Sequence, residues 1–169
     1  MASNAQKAKT YERLGRDLAL TRYTGVPSSV PLAVADSWGT LDLQVVPGGG
    51  GGLPRQGDVS DAGAVSGRAN LAQALILRLL TRQGALAGLG HPEYGCRLVT
   101  LIGRLNDATA RNLARLFTIE AVAQERRVRE LLELFVVTVP DQPDTIRIGF
   151  SVLPFDDDDP LSLTLDVTL

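Results

Sequence analysis

This chain has a single cysteine, a single histidine and a single tryptophan, and aromatic residues make up only 5% of it. Each shortage excludes something. Cys96 alone cannot close an internal disulfide, which fits a reducing compartment. One histidine and one cysteine fall short of the four soft ligands of a structural zinc site. With few rings available, a core must come mostly from Leu, Val, Ile and Ala, which the 44% hydrophobic content can supply. The longest apolar candidate, residues 71–80, contains Gln73 and Arg78 and is well short of the roughly 20 residues that span a bilayer. The first residues, "MASNAQKAKT", show no apolar signal region. A net charge of −2 gives no general attraction to nucleic acid or to anionic lipid. The expectation is a product that is cytoplasmic at synthesis, with neither membrane insertion nor nucleic acid among its partners.

What charge there is falls unevenly. Residues 97–129 hold seven arginines against three acids, whereas residues 138–169 hold seven aspartates against Arg147 alone. A basic middle followed by an acidic end implies internal pairing or two faces with different partners.

Residues 1–37 carry Gly25, Pro27 and Pro31 and read as an extended arm that orders against something else, with at most a short helix over 11–20. A domain over 38–169 follows. "WGTLDLQVV" alternates Leu41, Leu43 and Val45 with polar residues, the period of a half-buried strand. Residues 47–58 contain five consecutive glycines, but no Gly-Lys-Ser/Thr follows to reach a phosphate and its Mg²⁺, so this is a flexible connector.

Asn70 is placed to cap a helix reaching about Arg82, with Gly84 where a left-handed residue ends it. Leu71, Leu75, Ile76, Leu79 and Leu80 make that helix apolar on nearly every side, and it should lie in the core. A second helix should run from Asp107 or Thr109 to about Gln124. Leu113, Leu116, Phe117, Ile119, Val122 and Ala123 form its wide apolar face, and Arg111, Arg115 and Thr118 share the opposite side. "ELFVVTV", "TIRIGFSV" and "LSLTLDVTL" read as strands separated by residues 140–144 and 154–160, the last two pairing antiparallel beneath an acidic loop. The expected fold is therefore α+β: a small antiparallel or mixed sheet of C-terminal strands against two or three helices, plus the arm.

Candidate chemistry is thin. His91 and Cys96 lie in "GHPEYGCRL", a loop rich in glycine, and lack any sign of an oriented base and oxyanion hole. Glu93, Glu120 and Glu125 qualify for glycan hydrolysis by residue type only, since nothing places two of them across a cleft. "DDDDP" lacks the spacing of a calcium loop and reads as a charged hairpin tip. No catalytic residue, metal ligand or cofactor is assigned.

Three stretches resemble one family. Thr81 with Gly84 ending a buried helix, Tyr94 with Gly95 in a short loop, and Glu125 with Arg127 entering the strands are similar to the signature of the baseplate wedge family of contractile phage tails. This is the gene-twenty-five-like, "lysozyme-like" family, which includes TssE of type VI secretion. The likeness covers about residues 40–152. It departs at Arg126, where the family's Glu-Pro-Arg motif has proline.

The resemblance implies a non-enzymatic subunit that links the baseplate wedge to the first sheath ring and helps sheath assembly begin. About six copies would surround the tail tube, with sheath protein and other wedge subunits as partners, in a phage tail-like particle. Docking on the wedge would fall to Glu125, Arg126 and Arg127. Addition of a partner strand would fall to the edge formed by Leu161, Leu163, Leu165 and Val167. Two other readings stay open: a cell-wall glycan hydrolase, and a diverged adaptor that binds one partner by strand addition.

Overall fold

From Val128 onward, β-branched and alternating residues build the main sheet. The computed structural model describes residues 14–22, 34–35, 41–43, 45–47, 60–155 and 157–169. In chain order these form β1 (Arg16–Leu18), β2 (Leu20–Arg22), β3 (Val34–Ala35), β4 (Leu41–Leu43), β5 (Val45–Pro47), β6 (Ser60–Ala62), β7 (Ala64–Ser66), helix α1 (Gly67–Leu80), helix α2 (Ala108–Ala123), β8 (Val128–Val139), β9 (Gln142–Pro154) and β10 (Leu161–Thr168). The main sheet has the order β3-β10-β9-β8. β10, β9 and β8 are antiparallel, while β3 joins β10 in parallel through Val34 and Ala35 opposite Thr164 and Leu165. The fold is α+β, with a mixed sheet.

Strand alternation explains the layers. Ile146, Ile148, Phe150 and Val152 of β9 and Leu163, Leu165 and Val167 of β10 turn one way and are buried with Val136 of β8. Leu71, Leu75, Ile76 and Leu79 of α1 and Ala114, Phe117, Ala121 and Val122 of α2 close the core from that side. The other face of the sheet is polar. Arg147 donates to both oxygens of Asp166 at 2.7 and 2.6 Å, and the hydroxyls of Thr145 and Thr168 lie 3.2 Å apart.

On that face Phe135 lies opposite Gly149, and a Cβ added at Gly149 would come within 2.1 Å of the ring's Cζ. Glycine there lets the aromatic lie flat across the sheet, the pairing known as aromatic rescue. β8 itself changes register three times along β9, between Val128 and Glu130, Leu131 and Glu133, and Thr138 and Val139. Such bulges bend and twist an edge strand.

Several expectations need correction. Residues 16–18 and 20–22 are strands, not part of a helix over 11–20 (residues 11–13 lie outside the described residues): β1 pairs with β7, and β2 with β4. α1 starts three residues before Asn70, after Ser66, so Asn70 does not cap it. The Asn70 amide instead donates to the carbonyl of Leu14 at 2.9 Å.

Thr118 is fully buried, because its hydroxyl donates to the Ala114 carbonyl at 2.8 Å and needs no water. Leu116 and Ile119, expected inside, are 46% and 41% exposed. The β8–β9 turn is tighter than residues 140–144, since β9 already begins at Gln142. The start of α2 is as expected, with Asp107 accepting a hydrogen bond from the Ala110 amide at 2.7 Å. The glycine-rich stretch 48–52 lies outside the described residues.

Candidate functional site

The loop after α1 shows why its odd residues stand where they do. Thr81 bonds back to the helix, its hydroxyl donating to the Leu77 carbonyl at 2.7 Å. The chain then leaves and returns: the Cys96 amide donates to the Thr81 carbonyl at 2.8 Å, and the Gln83 amide to the Cys96 carbonyl at 3.0 Å. Gly95 sits at this crossing with φ +109, and a Cβ there would lie 2.7 Å from the Thr81 carbonyl oxygen. Only glycine fits such an approach of backbone to backbone.

Gly84, also at positive φ, donates its amide to the Tyr94 carbonyl. Cys96 is buried, with its sulfur 3.4 Å from the Phe117 carbonyl, and burial pushes its thiol above the ordinary range. His91 is exposed on the loop surface, whereas Cys96 is buried.

Closing the loop brings Tyr94 under the end of α1. The Arg78 guanidinium stacks 4.5 Å above the centre of the Tyr94 ring, a cation–π contact. Burial pushes the Tyr94 phenol above its ordinary range, with Arg78 opposing. The same Arg78 reaches Glu125 at 3.5 Å and the Gln124 side chain at 3.3 Å. Glu125 is 8% exposed. Its other partner is Arg127, which donates from Nε at 2.8 Å and from Nη2 at 3.1 Å, a two-point fork on one carboxylate. Burial alone would raise the Glu125 carboxyl, but the bonds and charge of Arg127, helped by Arg78, outweigh it and hold the pKa below the ordinary range.

A turn presents these residues. The Val128 amide donates to the Glu125 carbonyl at 3.0 Å, which puts Arg126 at the second turn position with its side chain exposed. Proline is favoured at that position, so the departure at Arg126 preserves the turn and adds a charge. Glu125, Arg126 and Arg127 thus divide: two side chains form an internal ion pair and one faces water. The third Arg127 donor, Nη1, bonds the Leu14 carbonyl at 3.0 Å and ties the turn to the start of the described chain.

The residues expected at a strand-accepting edge are placed differently. Leu163, Leu165 and Val167 are 3% exposed or less and point into the core, with Leu161 at its margin. Their strand offers its backbone at one edge only, and β3 occupies part of that edge. β8 is the opposite edge, unpaired on its outer side among the described residues. Leu132, Phe135 and Val137 along it are 43–46% exposed.

Among the remaining candidate acids, Glu120 pairs with Arg97 and Glu93 is exposed. The acidic tip is held by Arg68, which reaches the Asp157 carboxylate and the carbonyls of Asp159 and Pro160. Among the described residues no His, Cys, Asp and Glu group is placed to hold a metal ion, and no helix is long and apolar enough to cross a membrane.

The ring contact of Arg78 and its bond to Glu125 could not be read from sequence, because they join positions 16 and 47 residues away. The alternation of charge and apolarity along α1 gives no hint that Arg78 turns inward.

No family model and no curated protein matches the chain. Solved structures with a similar fold include that of a Geobacter sulfurreducens protein provisionally named a tail lysozyme. The TM-score is 0.51 at 19% identity, covering 59% of this chain and 88% of that one. The α+β fold is thus shared with a protein named a tail lysozyme.

Proposed function

We propose that the chain is a structural subunit of the baseplate of a contractile injection particle, joining the wedge to the first sheath ring. One observation carries the reading. The three stretches that resemble the wedge family are separate in sequence but joined in space, Gly84 donating to the Tyr94 carbonyl and Arg78 linking the Tyr94 ring to Glu125, on a fold similar to that of a protein named a tail lysozyme. In this reading Arg126 is the contact to the wedge, and the Glu125–Arg127 pair stiffens the turn that presents it.

The first sheath ring supplies an extended strand. The outer edge of β8 suits such a strand, since backbone N–H and C=O groups there are unpaired among the described residues, and Leu132, Phe135 and Val137 are exposed along it beside Glu130 and Glu133. Addition at β10 would have to displace β3. The subunit acts without catalysis, in about six copies around the tube, and enters the particle after synthesis in the cytoplasm.

The name of the Geobacter protein offers a second reading, glycan hydrolysis. That chemistry needs a carboxylic acid with a raised pKa. Glu125, the buried candidate, has the opposite shift. Release of sugar from cell walls by the purified chain, abolished by a single Glu→Gln change, would establish the enzyme instead.

The test of the baseplate reading is a pull-down of the tagged chain from its native host, with mass spectrometry of the recovered proteins. Sheath, tube and wedge subunits should accompany the wild type, and Arg126→Glu should lose the wedge subunits while the domain stays folded. Recovery of one unrelated regulator and no tail protein would replace this reading with the adaptor.

A further inference from the structure

Residues 14–20 are seated on the body by bonds that read their backbone. The Leu14 carbonyl accepts from Asn70 Nδ2 at 2.9 Å and from Arg127 Nη1 at 3.0 Å. The Gly15 carbonyl accepts from the Gly67 amide at 3.2 Å, and the Ala19 amide donates to the Gly63 carbonyl at 2.7 Å. Gln73 clamps the far end with both halves of its amide: Nε2 donates to the Leu18 carbonyl at 2.8 Å, and Oε1 accepts from the Leu20 amide at 2.9 Å.

Asn70 and Gln73 are 4% and 3% exposed, two buried amides among the core leucines of α1. A buried amide is costly unless bonded. Here the partners of both are this one segment.

Few side chains hold the segment. Leu14 is 2% exposed and Ala19 6%, whereas Arg16, Asp17 and Leu18 between them are exposed. The result is a strap with an anchor near each end and a solvent-facing middle. Such a segment can leave as one piece, because its ladder with β7 and its bonds to Gly63, α1 and Arg127 include no strand of the main sheet, and of its side chains only Leu14 joins the core cluster.

We propose that residues 14–20 are a releasable strap and that Arg127 is its latch. Among the described residues, Arg127 is the side chain that binds the Glu125 turn and the strap together. Its Nε and Nη2 face Glu125, and Nη1 faces Leu14. With 27% of its side chain exposed, it is within reach of a partner. A partner carboxylate is a stronger acceptor for a guanidinium than a carbonyl oxygen is. Engagement of Arg127 from outside therefore weakens the seat of Leu14, and a seated strap holds Arg127 in place.

The strap's release is a property of the isolated chain and stands apart from the baseplate reading; only the identity of the partner rests on that reading.

Hydrogen exchange of the full chain, read by mass spectrometry, tests this. Arg127→Lys keeps a charge beside Glu125 but cannot bond Glu125 and Leu14 together. Its strap amides, Ala19 and Leu20 among them, should exchange at least about tenfold faster, with β9 and β10 unchanged. Arg126→Ala, on the same turn without a strap bond, should change neither.

A second variant loosens the strap from its own side and keeps Arg127, which the new Cβ would meet only in ordinary contact at 4.0 Å from Nη1. Gly15 has φ +80, and a Cβ there would meet Asn70 Nδ2 at 3.2 Å. Gly15→Ala should speed exchange at Ala19 and Leu20 too, since the segment opens as a unit. The latch is refuted if Arg127→Lys leaves strap exchange unchanged or speeds β9 and β10 equally. The unit is refuted if Gly15→Ala acts only on its immediate neighbours. Either failure leaves the pull-down result untouched, so the two readings fall separately.

Discussion

Replacing Gly95 by alanine should be among the most damaging single-atom changes available in this chain. Two costs add. A side chain at φ +109 is strained by about 1–3 kcal/mol. The new Cβ would also lie 2.7 Å from the Thr81 carbonyl oxygen and 2.8 Å from the Arg82 carbonyl carbon, and these are backbone atoms that cannot swing aside. The two chain segments must part, which loses the Cys96–Thr81 and Gln83–Cys96 hydrogen bonds at about 1 kcal/mol each. The expected loss is about 3–5 kcal/mol, or roughly 10 °C in Tm for a domain of this size.

Gly90 supplies the control. Its φ of +86 is equally left-handed, but a Cβ there meets nothing within 4 Å. Gly90→Ala should therefore show the backbone strain alone, about 1 kcal/mol. Urea unfolding followed by circular dichroism measures both variants. If Gly95→Ala proves no worse than Gly90→Ala, the crossing of the loop over Thr81 is not what fixes glycine at 95.

Three further outcomes follow from particular contacts. Gly149→Ala should cost about 1–2 kcal/mol in the wild type and close to nothing beside Phe135→Ala, because the three atoms nearest to its Cβ all belong to that ring; additive losses in the double-mutant cycle would contradict that. Glu125→Gln should cost about 2–3 kcal/mol at neutral pH. Because the folded carboxyl has the lower pKa, that difference is full above the ordinary carboxylate range and fades as the pH falls below about 4; a constant gap down to pH 2 would show that the ion pair is not its source. Cys96, buried and with a raised thiol pKa, should resist iodoacetamide in the native state and react in denaturant, and rapid native labelling would mean the loop opens freely.

Local chemistry made much of the fold legible. Asp107 announces α2 because an Asx side chain at that position satisfies an amide the helix cannot. The alternation of β10 marks Leu163, Leu165 and Val167 as sharing one face, although that face, expected to take a partner strand, is packed into the core. What stayed hidden depends on tertiary partners. Asn70 looks like a cap until the Leu14 carbonyl arrives to take its amide. Thr118 looks like surface until its hydroxyl finds a carbonyl within its own helix. Residues 16–18 have no alternation to read, since the strap is specified by Asn70, Gln73 and Arg127 and scarcely by its own side chains. The site was legible only as separate pieces, and Arg78, which brings Tyr94 and Glu125 together, was not among them.

The bond from Arg127 to Leu14 spans 113 positions of sequence, whereas β8 and β9 are joined by a turn of two residues. Contacts between near neighbours form early, and those that close a long stretch of chain wait for both ends to be in place. The β8–β9 pair is thus the natural starting point of folding and the strap the last piece to arrive. On a ribosome the order of appearance is reversed. Leu14 emerges long before Arg127, so the bond between them must wait until nearly the whole chain has been made, well after Asn70 is available to the same carbonyl.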